Sequence, residues 1–245
     1  MSEDLVLLHG FGGTNRAWEG VIAALPPERY RPLALDLPGH GVYADSPRPI
    51  TFAGCVDHVL TLAPERFVLC GYSMGGRIAL HVALAAPERV TRLLLIGVNP
   101  GIEEPAERGA RRQADDLLAT RLEREPYEQF IESWRTQSLF ADDPPEVGIL
   151  ARADQRRNDP IALAAVMRGL GAGVMEPLWS RLDELRMPAA VVVGDRDDKF
   201  LKLGLRMVDL MPRAELIVVP GGHGLPLENP GAVARVAMES DGERG

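Results

Sequence analysis

Three short stretches carry residues whose types and spacing could do chemistry together. In the first, Gly71-Tyr72-Ser73-Met74-Gly75 lies between an apolar run, RFVLC, and a helix-like run, IALHVALAA. Glycines around a serine at a strand-to-helix junction permit a turn too tight for a Cβ, and they present the hydroxyl at the helix N-terminus. A serine hydroxyl is a weak nucleophile and a weak base at its own pKa, so it needs an imidazole that is itself oriented by a carboxylate. His223, in VVPGGHG, follows the last apolar run, and GDRDDKF (194–200) follows the run before it. Asp195, Asp197 and Asp198 compete for the carboxylate role; the G-x-x-D spacing favours Asp197 and leaves the others for salt bridges or helix capping.

An activated serine is most useful beside backbone N–H groups aimed at developing negative charge. Met74, directly after the serine, offers one such N–H. The other is expected from Phe11 in HGFGG (9–13), where Gly12 and Gly13 allow a close approach. His9 and His40 are read as supports for turns, and His58 and His81 fall inside helical stretches. None of the histidines has metal-ligand spacing, so no metal and no cofactor are expected.

The elements that must position these residues are legible as alternation. Apolar runs at 5–9, 32–36, 67–70, 92–96, 189–194 and 215–219 are bounded by Gly, Pro or charge and do not alternate, as strands buried on both faces of a parallel sheet would be. Amphipathic stretches at 15–25, 52–63, 75–86, 199–211 and 230–239 lie between them. The class is therefore α/β, an open sheet of about six mostly parallel strands flanked by helices. About ninety residues separate the fourth run from the fifth, too many for a structureless loop. They are rich in Arg, Glu, Leu and Ala and are divided by Pro126, Pro144, Pro145, Pro160 and Pro177. This predicts an inserted helical cap over 101–182, on a core made of 1–100 and 183–245, at the sheet edge where ligands bind.

Composition narrows the partners. The chain has 245 residues, is 46% hydrophobic and carries a formal charge of -8, which gives no basic footprint for nucleic acid or an anionic membrane. A small molecule is the expected partner. The opening MSEDLVLLHG lacks the basic region and length of a secretory signal, and no apolar run approaches a membrane span. Cys55 and Cys70 stand well apart, as expected of a protein in a reducing cytoplasm. Nothing in the sequence decides between a monomer and a small homo-oligomer.

Taken together, HGFGG, DLPGHG (36–41), GYSMGG, GDRD and GGH resemble the α/β-hydrolase superfamily over nearly the whole chain. Serine at 73 argues against its dehalogenases, which carry aspartate there. A narrower resemblance lies in Arg77 and in the cap segments NPGIEEPAERGARRQAD (99–115), FIESWRTQSLFA (130–141), QRRND (155–159) and RGLGAG (168–173). These are similar to the 2-succinyl-6-hydroxy-2,4-cyclohexadiene-1-carboxylate synthases of menaquinone biosynthesis, the MenH family.

That resemblance implies removal of a proton beside a succinyl ketone and loss of pyruvate, with Ser73, His223 and Asp197 forming the base and Phe11 and Met74 the oxyanion hole. It also implies that Arg77, Arg111 and Arg156 bind substrate carboxylates and that Tyr72 and Trp134 line the pocket. On the residues alone, Arg111 also fits a solvated ladder with Asp115, Trp134 also fits ordinary cap packing, and Arg156 is not separable from Arg157. The early first strand implies a six-stranded sheet with 32–36 near an edge. Where the family commonly has a second histidine after the catalytic one, this chain has Pro226. The competing reading is a serine hydrolase of esters, lactones or carbon–carbon bonds; a silent ligand-binding relative is disfavoured by the intact Ser73, Asp197 and His223.

Overall fold

A computed structural model describes residues 2–238, so Met1 and 239–245, the ends of the expected core segments and of the last amphipathic stretch, lie outside the described residues. Six strands form one sheet: β1 Glu3–Leu8, β2 Tyr30–Leu35, β3 Phe67–Tyr72, β4 Val90–Ile96, β5 Ala189–Gly194 and β6 Ala214–Val219. Their order is β2-β1-β3-β4-β5-β6 with every pairing parallel, which puts β2 at an edge. Ser73 therefore leaves a strand near the sheet centre, while Asp197 and His223 follow its last two strands.

Side chains alternate across a strand, and β1 shows what that does here. Val6 and Leu8 enter a core with Ile78, Leu80, Val59 and Met207, from the helices α2 Phe52–Leu62, α3 Met74–Ala85 and α8 Asp198–Leu210. Leu5 and Leu7 enter the opposite core with Val21 of α1 Glu19–Ala23 and Val233 of α10 Pro230–Met238. Burial on both faces is why the central strands read as unbroken apolar runs, while the edge strands β2 and β6 are only partly covered. The stretch at 15–25 divides into a 3-10 turn, Asn15–Trp18, followed by α1. Cys55 and Cys70 are buried and free, and burial pushes both thiols up to about 12.

Between β4 and β5 the chain makes four helices: α4 Pro105–Arg124, α5 Tyr127–Arg135, α6 Pro145–Gln155 and α7 Pro160–Leu170. Pro105, Pro145 and Pro160 open their helices, where a missing N–H leaves no hydrogen bond unmade, and Pro126 and Pro144 cap the next ones. A separate small core of Ala119, Leu122, Phe130, Leu163, Ala164 and Met167 holds α4, α5 and α7 together. The short α9, Leu225–Glu228, follows the loop that carries His223. Among the described residues no helix is long and apolar enough to cross a membrane.

Candidate active site

The turn at 71–76 is as tight as its glycines require. A Cβ at Gly75 would stand 2.3 Å from the Leu8 carbonyl oxygen, and one at Gly71 would stand 2.5 Å from that of Gly75. Ser73, at φ 52°, is the single non-glycine residue with positive φ among the described residues. Its N–H donates to the Ile96 oxygen at 2.8 Å and its own oxygen accepts from Arg77 N at 3.1 Å, so the strained conformation is tied at both ends.

Ser73 Oγ lies 3.1 Å from His223 Nε2, and His223 Nδ1 lies 2.8 Å from Asp197 Oδ2. A proton on Nδ1 donated to the carboxylate leaves Nε2 free to accept from the serine. Asp197 also caps α8, its Oδ1 accepting from Phe200 N, so the helix start fixes the carboxylate and the carboxylate fixes the ring. Gly97 makes room for that ring, because a Cβ there would meet His223 Cε1 at 2.7 Å. Phe200 packs on its other side, 4.5 Å between centroids. Of the competing aspartates, Asp195 accepts from Gly221 N at 2.9 Å and Asp198 is the exposed first residue of α8.

The N–H groups of Phe11 and Met74 have no hydrogen-bond partner among the described residues, and both residues line one cavity with Ser73. Met74 N also stands at the N-terminus of α3, where helix dipoles favour negative charge. His9 and His40 hold the loop between them: His9 Nε2 accepts from Leu37 N at 3.1 Å, and His40 Nε2 accepts from Gly12 N at 3.3 Å. Burial lowers the pKa of both, which keeps them neutral acceptors.

That cavity has a volume of about 560 Å³ and is lined, opposite the serine turn, by residues of α4, α5, α7 and the 137–140 segment. Tyr72, Arg77, Arg111 and Trp134 all line it. Trp134 does so while packing against Phe11 at 4.9 Å and Phe130 at 5.8 Å, so cap packing and cavity lining are one placement. Arg111 is held by Asp115 at 2.7 Å, a buried carboxylate that also accepts from Gly173 N. Arg77 donates to the Leu170 oxygen at 2.6 Å and has no carboxylate within ion-pair distance among the described residues. Burial, then the nearby charge of Arg111, brings its pKa down to about 10, against the opposing pull of Asp115.

Arg156 is the exception and corrects the sequence expectation. It caps the end of α6 on the outer surface, bonded to Glu128 at 2.8 Å, and does not line the cavity. Arg157 is also exposed, 3.8 Å from Asp154. The helical repeat separates these positions: α6 buries Val147, Ala151, Asp154 and Gln155 on its inner face, and Asn158 follows on the same side. We expect Arg156→Ala to change substrate KM by less than about twofold, since an exposed ion pair holds little; steady-state kinetics of the variant checks this. Arg196 and Lys199 line the cavity instead, next to Asp197, and sequence reading passed over them as neighbours of the carboxylate.

A tight serine turn, a histidine–aspartate pair and two free N–H groups at the carboxyl edge of a parallel sheet define an α/β-hydrolase. The sequence pattern of the alpha/beta hydrolase family matches residues 5–236, and the chain belongs to that family. Within it, the chain is 35% identical to 2-succinyl-6-hydroxy-2,4-cyclohexadiene-1-carboxylate synthase of Enterobacter sp. (strain 638), over 94% of this chain and 88% of the relative. The structure of MenH from S. aureus superposes with a TM-score of 0.89 at 29% identity, covering 96% of this chain and 92% of that one. The enol-lactonase from Burkholderia xenovorans LB400, at 22% identity and a TM-score of 0.80 over 97% and 90% of the two chains, shares the fold.

Proposed function

We propose that the protein eliminates pyruvate from 2-succinyl-5-enolpyruvyl-6-hydroxy-3-cyclohexene-1-carboxylate, as a synthase of menaquinone biosynthesis. The observation that carries this reading is a half-buried guanidinium, Arg77, without a carboxylate in contact, in the cavity that holds Ser73, with Arg111 and Arg196 also lining it. Guanidinium groups suit planar, bidentate binding of carboxylates, and an ester hydrolase would be served by an apolar slot instead.

In this mechanism His223 draws the proton from Ser73, with Asp197 stabilising the imidazolium, and the serine oxygen removes the proton beside the succinyl ketone. The electron pair moves to the carbonyl oxygen, which the Phe11 and Met74 N–H groups hold as an enolate. As the carbonyl re-forms, the pair passes into the ring, the carbon–oxygen bond to the enolpyruvyl group breaks and pyruvate leaves, taking up a proton. No water is consumed and no cofactor enters.

Residues 101–182 act in this reading as a cap on a core of 1–100 and 183–245, with Tyr72, Arg77, Arg111 and Trp134 as substrate contacts. The partner is a small, carboxylate-bearing molecule, and the enzyme works in the cytoplasm as a monomer or small homo-oligomer. Incubation of the purified protein with the enolpyruvyl precursor and, separately, with short-chain aryl esters tests the proposal. Rapid pyruvate release supports it; efficient ester turnover without pyruvate overturns it in favour of a serine hydrolase.

A further inference from the structure

The inner face of α6 reaches across to the loop that carries Phe11. Asn158 Nδ2 donates to the Gly12 oxygen at 2.8 Å, and its Oδ1 accepts from Gly41 N at 2.9 Å. Asp154 Oδ2 accepts from Thr14 N at 2.8 Å, and its Oδ1 accepts from the Thr14 hydroxyl. Gln155 lies under Gly12, which has φ +73°, and a Cβ on that glycine would come within 3.3 Å of Gln155 Nε2. Thr14, Asp154, Gln155 and Asn158 are all buried, so these bonds are made away from water and are expensive to leave half-made.

The bonds to Gly12 and Thr14 join residues about 140 positions apart and tie the second half of the 10–14 turn to the inserted helices. The core holds the first half of the turn, through His9 Nδ1 to the Gly10 oxygen at 2.8 Å, a turn bond from Gly13 N to the same oxygen at 3.1 Å and His40 to Gly12 N at 3.3 Å, but none of these reaches the Gly12 oxygen or Thr14 N. Phe11 N, the N–H without a partner, sits one residue before the carbonyl that Asn158 holds. An oxyanion donor must lie within a few tenths of an ångström of its working position to be effective.

We propose that Asn158, with Asp154, is a positioning residue of the active site: the inserted helices set the Phe11 half of the oxyanion hole through the Asn158–Gly12 and Asp154–Thr14 bonds. The donor pair is thus assembled from two sources. Met74 N is fixed by the serine turn within the sheet, whereas Phe11 N is fixed by docking of α6. This rests on the reading of Phe11 and Met74 as the oxyanion donors, and not on the identity of the substrate.

The test uses diethyl p-nitrophenyl phosphate, whose phosphoryl oxygen needs the oxyanion hole and whose binding does not need the arginines. Ser73 Oγ forms a bond to phosphorus, p-nitrophenolate leaves with the electron pair of the broken bond, and the serine proton passes through His223 to solvent. One equivalent of nitrophenolate appears per site, and the dependence on reagent concentration separates the limiting rate from the half-saturating concentration. For Asn158→Ala we expect the limiting rate to fall about 10- to 100-fold with little change in half-saturation, and for isosteric Asn158→Asp, which sets a carboxylate against the Gly12 oxygen, a fall of the same order.

If Asn158→Ala does not fold, Asn158→Asp decides. A folded variant that reacts at the wild-type limiting rate, even with a lowered melting temperature, overturns the proposal and leaves the bonds a purely structural role. Wild-type protein that reacts with this reagent but releases no pyruvate from the enolpyruvyl precursor would fail the substrate assignment and leave this inference standing.

Discussion

Replacing Ser73 with alanine is expected to lower the limiting rate of pyruvate release by about 10³- to 10⁴-fold while substrate affinity changes little. The split follows from the geometry. Ser73 Oγ is the group in contact with His223 Nε2, at 3.1 Å, and it contributes nothing to the guanidinium surface that would hold the carboxylates. Alanine also relieves no steric demand, because the strain at φ 52° belongs to the backbone between β3 and α3. The measurement is single-turnover pyruvate formation, with binding read separately by equilibrium titration. A variant that keeps more than about a tenth of the rate would move the base from the serine to His223 itself. Rapid quenching of the wild-type enzyme, followed by intact-protein mass spectrometry, separates base from nucleophile: proton abstraction leaves Ser73 unmodified throughout turnover, whereas an acyl-enzyme adds mass to it.

How much of this was legible before the structure depends on whether the cause is local. Gly71, Gly75 and Gly76 are demanded by atoms within a few residues or on the adjoining strand, and such demands fix residue types in a short, recognisable pattern. Asp197 is similar: its distance from the end of β5 makes it both helix cap and partner of His223, whereas Asp195 and Asp198 fall on other sides of the same turn. The central strands were readable because burial on both faces leaves long apolar runs, and the edge strands β2 and β6, only partly covered, kept enough Leu, Ile and Val to be read despite Arg31 and Glu215.

Side chains of the inserted helices were harder to place, because the face that points inward is set by packing against distant residues. QRRND shows the difficulty. Its charges draw attention to Arg156 and Arg157, yet the positions that continue the Val147–Ala151 face are Asp154, Gln155 and Asn158. Charge marked the solvent side of that helix, and the functional side is neutral or internally paired. Arg196 and Lys199 were hidden for the opposite reason, since they flank the carboxylate that explained the motif, Arg196 in the loop before α8 and Lys199 in its first turn.

Arg77 is where these considerations make the second large prediction. Most desolvated charges are matched by an opposite charge in contact, but the half-buried Arg77 contacts only the Leu170 oxygen at 2.6 Å and the Phe52 ring at 5.8 Å, and repulsion from Arg111 outweighs the pull of Asp115. With its pKa at about 10 it stays protonated at neutral pH, a desolvated cation facing a cavity. An incoming carboxylate would supply the missing charge, and a charge-assisted bond of that kind contributes about 1.5–3 kcal/mol. We therefore expect Arg77→Met to lower kcat/KM for pyruvate release by about 10- to 100-fold, mainly through KM.

The same substitution removes a half-buried charge that no carboxylate contacts and fills its space with an unbranched apolar chain, while water in the cavity can reach the Leu170 oxygen. The melting temperature is accordingly expected to hold or rise, against the usual direction for a substitution. Calorimetry and kinetics on one preparation test both halves. Loss of stability with KM unmoved would make Arg77 a strut for Leu170; loss of activity with stability retained would mean that the protein carries an unstable charge because its substrate needs it.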